Sequence, residues 1–263
     1  MQDKTLPFIM KEFKKYYSSE KTEPPERLSR REFGFMFFDR SFVIRHIGFS
    51  TRKELKEYMV SNVPAHLYYS SAYYQDPNAK KMADKKWMGA DLVFDLDADH
   101  VRGAQGLSYP EMLRKVKHEV ARLLDEFILG DFGFDSDHVK IVFSGGRGYH
   151  VHVTDPRILK LGSHERREIV DYITGTDLDF EWVFPPEGFD ARSFAERIHV
   201  IRKIRMPERE SGGWRGKMSE GIRHFLTELE VMGIDEAVKR FGSLKAGTPP
   251  KSIGEKTVRE MYR

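Results

Sequence analysis

Asp95 and Asp97 stand two residues apart in Leu92-Val93-Phe94-Asp95-Leu96-Asp97, and downstream the run Ser144-Gly145-Gly146-Arg147-Gly148-Tyr149-His150-Val151-His152 combines glycines, an arginine and histidines. The first run has the chemistry of a hard-cation site. The second has the chemistry of a phosphate cradle. On a strand, Leu92, Phe94 and Leu96 form one row and Val93, Asp95 and Asp97 the other, so both carboxylates leave the same face with Cα atoms about 7 Å apart. Carboxylates so placed can share divalent ions, which two-metal phosphoryl-transfer sites hold roughly 3.5–4 Å apart. A lone Asp-x-Asp also fits a solvated turn or strand end. A core-like strand argues for the metal, because desolvated carboxylates there need a cation or hydrogen bonds to compensate. Asp99 and His100 fall just beyond, in an expected turn.

In the second run, three glycines within Gly145-Gly146-Arg147-Gly148 let the backbone turn tightly and aim its N–H groups at an anion. Ser144, Arg147 and His150 add side-chain donors, and the planar guanidinium fork matches phosphate oxygens. A plain glycine-rich hairpin with exposed polar residues is the alternative. Zinc ligation by His150 and His152 is weaker, since the chain has no cysteine and no matching ligand spacing.

These residues need elements to hold them. The sequence predicts a buried strand over 139–143 running into the glycine turn, and a strand over 149–154 with His150, His152 and Thr154 on one face. A helix over 6–17, a Pro24-Pro25 break and a hairpin of 32–38 with 42–49 around Asp39-Arg40 precede the acids. Thr51-x-x-Glu54 and Ser108-x-x-Glu111 are capping boxes; the second opens a helix with Met112, Leu113, Val116, Val120, Leu123, Leu124 and Phe127 on one stripe, a core-packing pattern. Later helices are expected over 163–174, 219–232 and 235–241, broken by Pro185-Pro186 and Ser211-Gly212-Gly213, with a flexible tail over 247–254. The fold class is mixed α+β, with domains at 1–160 and, mostly helical, 161–263.

The order Val-Phe-Asp-Leu-Asp, Asp131-Phe132-Gly133-Phe134 and Phe143-Ser144-Gly145-Gly146-Arg147-Gly148-Tyr149-His150 resembles the catalytic small subunit of archaeal and eukaryotic DNA primase. Upstream, Arg31-Glu32-Phe33-Gly34-Phe35 with Ile44-Arg45 resembles the family's Arg-Glu-Phe strand pair, and Tyr69-Ser70-Ser71-Ala72 its segment before the acidic strand. Leu159-Lys160-Leu161 and the following helix also fit, so the resemblance covers roughly residues 8–175. It implies a core of mostly antiparallel sheets flanked by helices. It also implies primer synthesis from nucleoside triphosphates on single-stranded DNA, with a primase large subunit as partner. Asp95 and Asp97 would coordinate Mg2+ or Mn2+. Ser144, Arg147 and His150 would contact the triphosphate, with Arg31 in the nucleotide or primer pocket. Gly146 stands where some relatives carry a second arginine.

The chain departs from the family twice. Many relatives carry a cysteine-rich zinc site after the acidic strand, but Val101 to Tyr109 has no cysteine, so no structural zinc is expected. The family also has a third metal-binding aspartate on a later strand, followed by a basic, histidine-containing segment. Asp177, Asp179 and Asp190 lack that apolar strand context, so the chain reads as C-terminally incomplete. An end-joining primase-polymerase and a non-catalytic nucleotide- or nucleic-acid-binding module are the alternatives.

The 263 residues at 40% apolar content can bury one sizeable core with a smaller appendage. With 44 Lys and Arg against 41 Asp and Glu, a nucleic-acid groove must come from clustering rather than bulk charge. The candidate clusters are Lys80, Lys81, Lys85 and Lys86, and Arg197, Arg202, Lys203, Arg205, Arg209, Arg215 and Lys217 around Trp214. Zero cysteines exclude disulfides and thiol catalysis. Without a membrane-length apolar run or signal pattern, the chain reads as cytoplasmic.

Overall fold

A computed structural model describes residues 4–19, 23–101, 103–194, 197–241, 245–246, 251–252 and 258–259. The chain opens with helix α1 (Thr5–Ser18), then strands β1 (Phe33–Met36) and β2 (Ile44–Ile47), helix α2 (Arg52–Asn62) and strand β3 (His66–Tyr69). These strands form an antiparallel sheet in the order β2-β1-β3. Phe33 and Phe35 of β1 are fully buried and pack with Tyr17, Phe49, Leu55 and Met59 into an aromatic-rich core. Helix α2 starts where the sequence places a cap. The Thr51 hydroxyl accepts from Glu54 N at 3.2 Å, and the Glu54 carboxylate accepts from Ser50 N at 2.8 Å.

Strand β4 (Ala72–Tyr74), helix α3 (Met82–Lys85) and strand β5 (Trp87–Ala90) lead to β6 (Leu92–Asp97), helix α4 (Tyr109–Arg122), β7 (Val139–Phe143) and β8 (Gly148–Val153). The last sheet is antiparallel, in the order β6-β8-β7. Helix α4 opens on the expected Ser108/Glu111 capping box with Pro110 in its first turn, and it continues through Leu123–Asp131 as a π-helix. The stripe read from sequence is its buried face. Val116, Val120, Leu123 and Phe127 are buried, and α4 lies against β6 and β8, whose Val151 and Val153 are fully covered. One face of the sheet is thus filled by a helix and the other is left to the acids. Strand β7 departs from its expected burial. Ile141, Val142 and Phe143 remain 37–49% exposed, because β7 is the sheet edge and an apolar run alone does not distinguish an edge from a centre.

After β8 comes α5 (Ser163–Thr174), whose Arg166 donates to four backbone carbonyls: Leu161 at 2.8 Å, Asp91 at 2.8 Å, Ala90 at 2.7 Å and Ile158 at 3.0 Å. One guanidinium therefore fixes the entry to β6.

The chain divides into two compact units, Met1–Ile173 and Thr174–Arg263. The second contains α6 (Phe180–Val183), strands β9 (Pro186–Phe194) and β10 (Arg197–Ile204), α7 (Gly213–Val231) and α8 (Ile234–Phe241). The β9–β10 antiparallel hairpin runs from Arg197↔Phe194 to Ile204↔Pro186 and was absent from the helical expectation. Its β-branched run Arg197-Ile-His-Val-Ile carries the strand signal, which the double proline before it masked. Helix α7 begins six residues earlier than expected, at Gly213. Most of the tail expected over 247–254 lies outside the described residues, apart from the pairing of Lys245 and Ala246 with Ser252 and Lys251. Among the described residues no helix is long and apolar enough to cross a membrane.

Candidate active site

The register between β6 and β8 sets Asp95 opposite His150, Asp97 opposite Gly148 and Val93 opposite His152. Opposed residues in an antiparallel pair share a face, so both carboxylates and both imidazoles project from the side that α4 leaves open. Asp95 Oδ1 lies 3.4 Å from His150 Nε2, and the Asp95 side chain is 69% exposed. That exposure changes the reasoning from sequence. Asp95 is exposed and Asp97 half-buried, so neither is a fully desolvated group requiring compensation. Burial, with His150 alongside, pushes the His152 imidazole below its ordinary pKa, so His152 stays neutral at neutral pH.

The turn between β7 and β8 is built around Ser144. Its backbone N–H donates to Gly148 O at 3.0 Å, and its hydroxyl oxygen accepts from Gly146 N at 3.4 Å and Gly148 N at 3.2 Å. Two N–H groups expected to face an anion thus close the turn instead. The Ser144 hydroxyl proton remains available as a donor. Gly145 sits at φ +81°, and a Cβ on Gly148 would lie 2.3 Å from Leu96 O, so these positions require glycine. The loop is pinned by Tyr109 Oη donating to Gly146 O at 2.8 Å and by Ala98 N donating to Arg147 O at 3.2 Å. Arg147 is thereby held above the end of β6, where its Nη2 pairs with Asp99 Oδ2 at 2.9 Å. Both side chains are more than half exposed, and such a pair contributes about 0–1 kcal/mol, so a phosphate can displace it.

Of the six site residues expected from sequence, five are brought together and one, Arg31, lies apart. Asp95, Ser144, Arg147 and His150 gather with Asp97 at one end of the open face. Arg31 does not present a free fork. It is buried and donates to Asp91 Oδ2 at 2.6 Å, Tyr73 Oη at 2.7 Å, Ser70 O at 2.6 Å and Glu26 O at 2.8 Å, with its guanidinium 4.4 Å from the Tyr73 ring centroid. Its place is in the scaffold that carries the start of β6. Sequence reasoning passed over Asp91, Tyr73 and Arg166, whose roles depend on partners 42 to 76 residues distant.

Lys85, read as part of a basic cluster, is also buried. It lies 3.4 Å from Glu32 Oε2 and donates to Pro77 O. Glu32 accepts as well from Arg45 Nε at 3.2 Å and His46 N at 3.1 Å. Burial raises the Glu32 carboxyl, but the His46 N–H, Lys85 and Arg45 outweigh it and hold the pKa below the usual carboxylate range. Lys80, Lys81 and Lys86 are exposed. Of the later basic residues, Arg205 pairs with Glu187 at 3.5 Å and Arg209 with Glu220 at 2.9 Å, while the side chains of Arg197 and Arg202 lie outside the described ones. Asp179 caps α6, Asp177 has φ 54°, and Asp190 falls within β9 opposite Ile201.

The donor set fits a hard divalent cation in part. Asp95 and Asp97 offer carboxylate oxygens on an open face, and magnesium commonly combines one or two carboxylates with substrate phosphates. Among the described residues no group of three or more His, Asp or Glu could hold an ion alone.

A family model described as DNA primase small subunit matches residues 94–238, from the acidic strand onward. Curated relatives named DNA primase small subunit PriS include that of Methanothrix thermoacetophila, 43% identical over 93% of this chain and 62% of its own length. That of Methanococcoides burtonii is 41% identical over 99% of this chain and 64% of its own, and that of Thermoplasma acidophilum is 48% identical over 80% and 60%. The chain spans about three fifths of the length of these relatives.

Proposed function

The chain belongs to the DNA primase small subunit family, and from that premise we propose that the open face of β6 and β8 binds a nucleoside triphosphate with a divalent cation for template-directed nucleotidyl transfer. The observation that carries this reading is the pairing of Asp95 with His150 across the strands, with Arg147 pinned at the adjoining strand end. Acids suited to a cation and donors suited to phosphate meet there without a rigid partner to displace.

In this reading a 3′-hydroxyl is joined to the α-phosphorus and pyrophosphate departs. Arg147, the Ser144 hydroxyl and His150 hold the β- and γ-phosphates, so that the negative charge gathering on pyrophosphate meets fixed donors. Each charge-assisted contact contributes roughly 1.5–3 kcal/mol, or about ten- to a hundredfold in affinity or rate. A bound Mg2+ or Mn2+ would supply neutralisation of the phosphoryl oxygens, with Asp95 and Asp97 as its protein ligands. Because two carboxylates share the face, cation and triphosphate are held jointly, and each raises the affinity for the other. Single-stranded DNA as template and a large subunit as partner complete the proposal, by the family's resemblance. A non-catalytic nucleotide-binding role is the second reading, favoured by the two-carboxylate donor set.

Equilibrium binding separates these groups from others. Arg147→Ala and His150→Ala should each weaken nucleoside triphosphate binding far more than monophosphate binding. Equal losses for both ligands would place the contacts at base or sugar and refute the assignment. Primer extension by wild type, abolished in Asp95→Asn, decides between the catalytic and non-catalytic readings.

A further inference from the structure

Unit Thr174–Arg263 carries an aromatic and cationic patch that the nucleotide site does not use. Trp182, in α6, is 56% exposed, and the Arg215 guanidinium in the first turn of α7 lies 5.7 Å from its ring centroid. Exposing most of an indole to water forfeits a large apolar area, and a tryptophan that does so with a cation against one face keeps the rest of its surface for a ligand. Trp214, within the basic stretch, is half-buried, and its ring lies 3.1 Å from where a Cβ on Gly175 would stand. Trp182 is the open one.

The charges sort the same way. Arg205 and Arg209 are neutralised by Glu187 and Glu220. Arg215 has no carboxylate or hydrogen-bond partner among the described residues, and its Nε is a buried donor without an acceptor. No carboxylate among the described residues offsets its charge, so an anion brought to this patch has an uncompensated guanidinium to pair with. An exposed aromatic face for a base beside an unneutralised arginine for a phosphate is the minimal unit by which proteins hold single strands.

We propose that Trp182 and Arg215 form a contact for single-stranded nucleic acid, with a base stacked on the Trp182 ring and the adjoining phosphate on Arg215. The contact requires no base-edge reading, so it is sequence-tolerant. It does not rest on Asp95 and Asp97 being catalytic.

The test uses the full 263-residue chain and a fluorescein-labelled dT20 oligonucleotide. Trp182→Ala should raise Kd about 5- to 150-fold, the range of one base–aromatic stack. Arg215→Gln should flatten the slope of log K against log salt by about 0.7, one phosphate on a single strand. Unlabelled dT20 should quench intrinsic tryptophan fluorescence. Trp182→Phe should abolish that quench while keeping most of the affinity, an outcome a merely structural role would not give. Asp95→Asn should leave both affinity and quench intact, which separates this contact from the nucleotide site. Unchanged affinity in Trp182→Ala, or a quench surviving in Trp182→Phe and so arising from Trp87 or Trp214, overturns the proposal. Altered self-association with unaltered oligonucleotide affinity would assign the patch to protein contacts and overturn it equally.

Discussion

Arg147 and Asp99 neutralise each other across the strand end at 2.9 Å, and both are solvated enough that the pair is worth little. Removing the acid therefore tests what the arginine is for. Asp99→Ala should leave triphosphate affinity unchanged or raise it by up to about fivefold, since the guanidinium no longer has to leave a partner. Arg147→Ala should lower it about ten- to a hundredfold by isothermal titration. A loss of equal size in both variants would mean that the ion pair, not the free fork, shapes the site. At this scale the sequence was informative because the chemistry is local: Asp95, Asp97, Ser144, Arg147 and His150 lie in two short runs that one strand pairing brings together. Arg31, expected in the nucleotide or primer pocket, is the opposite case. Nothing in its neighbourhood announces Asp91, sixty residues away, which accepts from its Nη2.

Strands and turns carry the next set of consequences. The β6–β8 pairing depends on Gly148, where a Cβ would meet Leu96 O at 2.3 Å, so Gly148→Ala should push the strands apart beside Asp97. Both thermal stability and triphosphate binding should fall, whereas Gly221→Ala, with open space at its Cβ in α7, should raise the midpoint slightly. In the β1–β3 sheet, Glu32 joins Arg45, His46 and buried Lys85. Glu32→Gln strands the lysine charge and should destabilise by roughly 3–5 kcal/mol at neutral pH. Because the folded Glu32 pKa is lowered, its contribution is complete above the ordinary carboxylate range and is lost as pH falls through the folded value. Melting curves of wild type and Glu32→Gln should therefore converge in acid; a constant gap would contradict the linkage. Helix caps and the α4 stripe were legible because they are periodic and local. The exposure of β7 was not, since being an edge is decided by which strand fails to arrive. The β9–β10 hairpin was hidden behind Pro185-Pro186, which reads as a break but serves as an entry into an extended pair.

Across the molecule, the proposed nucleotide site falls in the N-terminal unit, and the second unit carries its own exposed aromatic and cationic patch. Its family was legible from motif order, and similarity to archaeal small subunits extends over 80–99% of the chain. The open β6–β8 face is, on the proposed reading, where cation and triphosphate meet. Paramagnetic broadening by Mn2+ on backbone amide resonances, recorded with and without nucleoside triphosphate, locates the ion directly. The prediction is broadening centred on Asp95 to Asp97 and Ser144 to His150, much stronger when triphosphate is present, and abolished in Asp95→Asn. Broadening centred on any other acidic surface, or independent of triphosphate and of Asp95, would contradict it.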